Sequence, residues 1–323
     1  MIAVVIPFFQ RQPGVLARAL RSVAAQQGCA LPLRVVVVDD ASPVRARDEL
    51  ASAPRGLEIQ LIEQANAGPG GARNTALAAL GADVDYVAYL DSDDEWSVDH
   101  LANACCALER GFDVYFANHL QLGAEVAAFE RGGRLDLARH PALEAPAGPL
   151  HAFGGDMVEQ IVCGNVIGTS TVVYRRAGRA GQRFRTEYRR AGEDYLFWLE
   201  LASGGARFAF STAIEARYGR GVNIFAGVEW GSPAFLERTV DELRYRRTTL
   251  AEFACSAAAA AEARAAIERL RLAHAGGLLH VLRHEPGAAP RALCRYLHVD
   301  PLGLLKMPWL LVRAGLSGAA SPC

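Results

Sequence analysis

Lysine is almost missing from this chain of 323 residues: of 34 basic residues, 33 are arginines and Lys306 is the single lysine. The skew, together with the many alanines, reads as a compositional bias and carries little functional information. The 35 acidic residues leave a formal net charge of -1, so neither a general polyanion-binding surface nor a nucleic-acid partner is expected. No C-x-x-C pair occurs, and the cysteines at 29, 105, 106, 163, 255, 294 and 323 are odd in number. A disulfide framework and a zinc knuckle are therefore not indicated, and a reducing, cytoplasmic setting is the simplest expectation. The most apolar late stretch, 301–316, is interrupted by Lys306, Pro308 and Arg313 and falls short of the roughly 20 apolar residues a spanning helix needs. Ile2 to Phe9 reads as a core strand without the basic n-region of a leader, so the mature chain is expected to begin at Met1. Hydrophobic residues make up 51% and charged residues 21%, which excludes fibrous and disordered classes and suits one large domain or two smaller ones.

The first ninety residues alternate apolar runs with helical patterns: IAVVIPFF, a helix over about 15–27, LRVVVVDD, a short helix near 44–51, LEIQLIE, a helix over about 71–80, then DYVAYLD. This predicts βαβ units and a mostly parallel sheet with both faces covered. In such sheets ligands gather at the carboxyl ends of the strands, which places Asp39, Asp40, Asp91, Asp93 and Asp94 on one rim. From Trp96 to about Gly231 the periodicity is less regular: a helix near 98–110, a strand at FDVYFANHL, a Gly- and Pro-rich loop over 132–155 and a strand at TSTVVYRR. After Pro233 the chain becomes helical, with Leu236, Val240, Leu243 and Leu250 on one stripe. Residues 269–323 carry seven basic side chains against Glu285 and Asp300, a pattern that fits either contact with an anionic membrane or packing on the main domain.

The strongest local signal is YLDSDDEW, 89–96, directly after an apolar strand. Clustered carboxylates repel one another, and hard oxygen ligands of this kind suit Mg2+ or Mn2+ completed by a diphosphate. A solvated loop or a helix cap is the plainer alternative. Asp39 and Asp40 end the second strand before Ala41 and Ser42; one carboxylate there can accept the imide N–H of a pyrimidine, and Ser42 can cap the next helix. A receiver domain also presents strand-end acids but needs a lysine across the site, and Lys306 lies outside the sheet-forming region. The third element is NAGPGGARN, 66–74, a Gly-rich turn opening a helix with Arg73 in its first turn, a setting that favours phosphate. It has neither G-x-G-x-x-G nor G-K-[ST], which argues against NAD binding and ATP hydrolysis. Glu193 and Asp194 open a helical pattern, where the charge alone is favourable. His280 and His284 have the i, i+4 spacing of a metal pair without an H-E-x-x-H, and Cys105 and Cys106 have no neighbouring histidine, so neither pair is read as a site.

The order VVIPFF, VVVVDDAS, NAGPGGARN, YLDSDDEW and GEDYLFWLEL resembles the inverting family 2 glycosyltransferases of the GT-A fold, over about residues 2–231. The resemblance implies an α/β fold with a Rossmann-like nucleotide-sugar half (1–118), an α+β acceptor half (119–231) and a helical extension (232–323). By position it implies that Pro7 and Phe8 line the nucleotide pocket through backbone, that Asp40, paired with Asp39, contacts uracil, and that Arg73 lies near the base or diphosphate, within a turn that includes Asn66 and Gly70. Asp91, Ser92 and Asp93 form the DxD motif, with Asp93 the direct ligand of Mn2+ or Mg2+ and Asp91 nearer the ribose. Asp194 becomes the base that deprotonates the acceptor hydroxyl, with Glu193 supporting it or binding acceptor. Trp96 would stack on a sugar face, while Trp198 is expected in the core. Phe8 and Gln10 depart from the family, which usually shows Thr or Ser and Asn there.

The expected activity is metal-dependent, inverting transfer of a hexose from a UDP-sugar to a saccharide acceptor, lipid-linked in one version, in exopolysaccharide or surface-glycan assembly. Peripheral contact with the inner face of the plasma membrane through the C-terminal region, and a homodimer through the same helices, accompany that expectation. Two other readings fit the residues less well. A sugar-nucleotide pyrophosphorylase needs a Gly-rich signature with Arg and Lys after the first strand, where this chain has FFQRQPG. A non-catalytic nucleotide-sugar-binding scaffold sits poorly with the presence of both Asp93 and Asp194.

Overall fold

A computed structural model describes residues 1–145, 148–222 and 228–316. The chain divides into two compact units: Met1–Thr186 with Phe197–Asn223, and Glu187–Leu196 with Ile224–Cys323.

The first unit is built on one sheet. Its strands are β1 (Ile2–Phe8), β2 (Leu33–Asp40), β3 (Glu58–Gln64), β4 (Tyr86–Tyr89), β5 (Glu95–Trp96), β6 (Val114–Leu120), β7 (Ala142–Leu143), β8 (Leu150–Ala152), β9 (Val173–Arg175) and β10 (Phe208–Arg217). Their order is β3-β2-β1-β4-β9-β6-β10-β8-β7, with β5 paired to β10. The first four strands are mutually parallel, as the βαβ pattern predicts. β9 runs antiparallel to both β4 and β6, and β6 is parallel to β10. Consequently β1, β2, β4, β6 and β10 all end at one rim. The Val- and Ile-rich strands β1 and β2 are buried along nearly their whole length, whereas edge strand β3 alternates exposed and half-buried positions.

Both faces of the sheet are covered. α1 (Val15–Ala24) contributes Leu16, Leu20 and Val23 to the core that Ile2, Val4 and Ile6 enter from β1, and α4 (His100–Glu109) adds Leu101 and Leu108. α3 (Gly68–Ala79) packs against β1 and β2. Between α1 and α3 the short α2 (Ala46–Leu50) follows β2; α5 (Ala128–Gly132), α6 (Met157–Gly164) and α7 (Glu193–Ser203) follow later. Several boundaries differ from the sequence reading. The Gly- and Pro-rich stretch 132–155 holds strands β7 and β8, because pairing of β8 to β10 and of β7 to β8 satisfies its backbone despite weak propensity. The strand expected over 169–176 keeps only Val173–Arg175, its start tightening into a 3-10 turn over Thr169–Thr171. Trp198 is fully buried, in an aromatic cluster with Tyr89, Phe184 and Phe197.

The second unit is helical: α8 (Pro233–Glu252), α9 (Ala257–His284), α10 (Ala289–Val299), α11 (Pro301–Leu305) and α12 (Met307–Leu316). Ser232 and Ser256 cap α8 and α9, accepting from the amides of Phe235 and Ala259 at 3.1 Å. The expected stripe Leu236, Val240 and Leu243 is buried, while Leu250 is only partly so. At Gly277 a Cβ would lie 2.9 Å from the Phe235 ring, so α8 and α9 approach closely only because this residue is glycine. Asp300 is fully buried and bidentate to Arg271 at 2.6 and 2.7 Å, with Arg247 at 2.9 Å. No helix among the described residues is long and apolar enough to cross a membrane.

Candidate active site

At the end of β4 the chain turns through Asp91, Ser92, Asp93 and Asp94. The turn is closed by the Asp94 amide donating to the Asp91 carbonyl at 3.0 Å. Its three carboxylates are treated differently. Asp94 is buried and structural: Ser170 Oγ donates to Oδ2 at 2.6 Å and the Gly219 amide to Oδ1 at 3.0 Å. Burial, then the charges of Asp91 and Asp93, push its carboxyl well above the usual range. Asp91 is the most open of the three, and its Oδ1 receives the Arg73 guanidinium at 2.6 Å. Asp93 receives the Gly221 amide on Oδ2 at 2.8 Å. Burial and the neighbouring Asp91 charge raise its carboxyl from 3.8 to about 6, so the site carries negative charge that the protein does not fully compensate.

Those properties fit a divalent cation of the Mg2+ or Mn2+ type. Among the described residues no group of three His, Cys, Asp or Glu side chains could hold a metal by itself. Asp91 and Asp93 are the hard oxygens the chain would offer such an ion, with the remaining positions left to water and a diphosphate.

The surrounding residues hold the turn from several strands. Ser170 accepts from the Asp91 amide at 3.0 Å, donates to Asp94, and takes the Trp96 indole N–H on its carbonyl at 2.5 Å. Trp96 is thereby buried, its ring tilted against His100 at 4.6 Å; the expectation that it stacks on a sugar is corrected, because no face of the indole is open. Gln10 joins three strand ends: its Nε2 donates to Ser92 Oγ at 3.0 Å, its Oε1 accepts from the Val222 amide at 2.8 Å, and its own amide donates to Ser42 Oγ at 2.8 Å. Ser92 accordingly turns its side chain inward and can meet a nucleotide only through backbone. Phe8 is fully buried and Pro7 half-buried.

Asp39 holds the segment that follows β2. Its two oxygens accept from the amides of Ser42 and Ala46, each at 2.8 Å, so Asp39 rather than Ser42 caps the start of α2. Asp40, one residue on, reaches α3. Its Oδ1 accepts from Gln64 Nε2 and the Ala67 amide, both at 2.7 Å, and its Oδ2 from the Gly68 amide at 2.8 Å. Asn66 Nδ2 donates to the Asp40 carbonyl at 2.9 Å. The helix therefore starts at Gly68, earlier than the glycine pattern suggested, and its leading amides already hold a carboxylate. Gly70 is buried within it, and Arg73 lies in its second turn, over the Phe184 ring at 5.3 Å.

Sequence reasoning missed Gln10 as a hub, Ser170, Gly219, Gly221 and His119. A Cβ at Gly221 would lie 2.5 Å from Asp93 Cγ, and one at Gly219 would overlap the Asp93 carbonyl, so the turn after β10 must be glycine at both. The only available signal was the paired glycines of RYGRG, 217–221. His119, at the end of β6, stacks on Tyr218 at 4.5 Å; burial, then Arg131, lowers it to about 4 and keeps it neutral.

Glu193 and Asp194 belong to the second unit, in the first turn of α7. Glu193 is buried and Asp194 half-buried, with its Oδ1 accepting from the Tyr195 amide at 2.8 Å. The turn depends on Gly192, at φ +97°, where a Cβ would meet the Tyr245 side chain at 2.5 Å.

The parallel sheet, the acidic turn at its rim and the helical extension define a mixed α/β protein of GT-A type. Residues 3–187 match the family model "Glycosyl transferase family 2", and the chain belongs to that family of glycosyltransferases. It is 35% identical over 242 residues to the succinoglycan biosynthesis protein ExoW of Rhizobium meliloti (strain 1021), covering 73% of this chain and 74% of that one. It is 30% identical over 190 residues to the amylovoran biosynthesis glycosyltransferase AmsB of Erwinia amylovora, 57% and 59% of the two chains. Among solved structures, S. aureus TarS 1-349 in complex with UDP-GlcNAc superposes with a TM-score of 0.58 at 17% identity, over 97% of this chain and 88% of that one. The mannosyltransferase PcManGT from Pyrobaculum calidifontis, in complex with GDP-Man and Mn2+, gives 0.57 at 17% identity, over 98% and 86%. At such identities the two structures establish a common fold.

Proposed function

We propose that this chain is a metal-dependent, inverting glycosyltransferase that moves a hexose from a UDP-sugar to a saccharide acceptor in exopolysaccharide or surface-glycan assembly. The observation that carries the reading is the pair Asp91 and Asp93 at the strand rim, with Asp93 under-compensated and held from the glycine turn and Asp91 paired with Arg73. The names of the relatives ExoW and AmsB support the polysaccharide setting, and UDP-GlcNAc in TarS supports the donor class.

Asp93 and Asp91 would hold Mn2+ or Mg2+, which when bound supplies positive charge against the departing diphosphate. Asp40 would meet the base: three donors occupy its carboxylate, and Oδ2 keeps one lone pair for the imide N–H of uracil. The backbone of Pro7 and Phe8 would bound the base pocket, with Asn66 and Gly70 at its α3 side. Arg73 acts on the donor through Asp91, fixing that carboxylate toward ribose or diphosphate. Asp194 would take the acceptor proton as attack begins, with Glu193 orienting it or the acceptor. Inversion needs no covalent enzyme intermediate. A lipid-linked acceptor would bring the C-terminal helices to a membrane surface.

Calorimetric titration of UDP with Mn2+, with EDTA, and with Mn2+ on Asp93→Asn tests the donor half. Binding that requires both metal and Asp93 is expected. Equal binding in all three conditions, or none in any, would overturn the assignment and favour a scaffold that transfers nothing.

A further inference from the structure

The last described helices carry an apolar stripe on the wrong side for a core. Leu302, Leu305, Trp309, Val312 and Leu316 recur at spacings of three, four, three and four, which is one face of a helix. They are 65%, 79%, 56%, 60% and 84% exposed, each more than any other large apolar side chain among the described residues. The opposite stripe, Gly303, Met307, Leu310 and Ala314, is buried in the helical unit, so α11 and α12 are already anchored and the outer face has no further core to join. A soluble surface does not keep five such side chains in a row without a use for them.

The segment's own charges have one sign, with Glu268 of α9 standing beside Lys306. From Pro301 to Leu316 the ionisable residues are Lys306 and Arg313, with no acid, and the preceding Asp300 is fully buried against Arg271. Lys306 reaches Glu268 at 2.9 Å, and the Arg313 guanidinium lies 4.8 Å above the Trp309 ring. An amphipathic tryptophan with arginine on its ring is suited to a headgroup layer.

We infer that the α11–α12 face docks in the plane of an anionic phospholipid bilayer, with Leu302, Leu305, Trp309, Val312 and Leu316 entering the acyl boundary and Arg313 at the phosphates. This deepens the proposed membrane contact and rests on that reading for its purpose, since it would hold the enzyme beside a lipid-linked acceptor.

The test is vesicle flotation of the full chain with phosphatidylglycerol-containing and pure phosphatidylcholine vesicles, alongside the triple variant Leu305→Glu, Trp309→Glu, Val312→Glu. The three positions are exposed, so the variant is expected to fold, with UDP binding in solution as the check. Wild type should float with the anionic vesicles, less so as salt rises, and the variant should bind about a hundredfold more weakly. A blue shift of Trp309 emission on adding anionic vesicles, measured against Trp309→Phe, would support insertion. Absence of flotation by wild type, or equal flotation by the variant, would overturn the proposal. A dimer seen by light scattering that the variant dissolves, without vesicle binding, would overturn it in favour of a second copy. Vesicle binding by a chain that fails to bind UDP would support this surface while removing the donor assignment, so the two failures are distinguishable.

Discussion

Asp93 gives the sharpest test of the proposed site's electrostatics, because the same burial that would ready it for a cation should burden the metal-free protein. A carboxyl raised from 3.8 to about 6 corresponds to about 3 kcal/mol of differential interaction. The sign follows from the folded value lying above the ordinary one. The penalty is absent below about pH 4, grows between 4 and 6, and is complete above 6, where the folded protein must keep Asp93 ionised beside Asp91. Asp93→Asn removes the charge and keeps an oxygen for the Gly221 amide, so at pH 8 without metal the variant should be more stable than wild type by about 2–3 kcal/mol. For a sheet unit of this size that is about 4–12 °C in its melting transition. At pH 4 the difference should shrink toward zero. Mn2+ should reverse the order at pH 8, raising the wild-type transition and not the variant's. The direct counterpart is calorimetry of Mn2+ with UDP: affinity flat above pH 7 and falling about tenfold per pH step below 6. A metal-free Asp93→Asn protein less stable than wild type at pH 8, or Mn2+ affinity unchanged between pH 8 and 5, would refute this account of the site.

Gly221→Ala should weaken metal-dependent UDP binding tenfold or more by pushing on the Asp93 carboxylate, measured by the same titration; Gly219→Ala meets the Asp93 carbonyl instead and should also lower the melting temperature. Asp194→Asn should retain UDP binding and lose transfer by about a thousandfold or more, read by product formation from donor and acceptor; equal loss of donor affinity would contradict separate roles. Glu215→Ala should cost about 3–5 kcal/mol in urea denaturation, since it strands Tyr115, Asn103 and His100, which now bond that buried carboxylate at 2.6, 2.7 and 2.9 Å. Asp300→Ala should be similarly costly for the helical unit. Burial opposes ionisation of Asp300, yet Arg271 outweighs it and holds the carboxyl below its ordinary value, so that stabilisation is present above about pH 4 and lost on further acidification; circular dichroism across pH 2–6 reads it.

Much was determined by the sequence alone, because the signals were local. Apolar runs such as VVVVDD and their alternation with helices specify parallel strands, and a strand-final acid is placed on the rim by chain direction. YLDSDDEW marks an acidic turn at a strand end through residue type and position, and the stripe of α8 follows from periodicity. What the sequence could not decide were choices between neighbours of the same type. Asp39 and Asp40 are chemically alike, but successive strand residues point to opposite faces, so one carboxylate caps α2 and the other meets α3. Asp94 and Asp93 are set apart by Ser170 and by which amides the chain returns to them about 125 residues later, through Gly219 and Gly221. Trp96 was legible as an aromatic beside an acidic turn, but only the packing of Ser170 and His100 shows that it is buried. These outcomes depend on long-range contacts whose free energy comes from closing one particular sheet order, and no window of sequence contains it. The tertiary structure therefore chose which carboxylates are tied to which neighbours and which side of α12 faces outward, while the sequence had already set the strands, the rim and the acids available there.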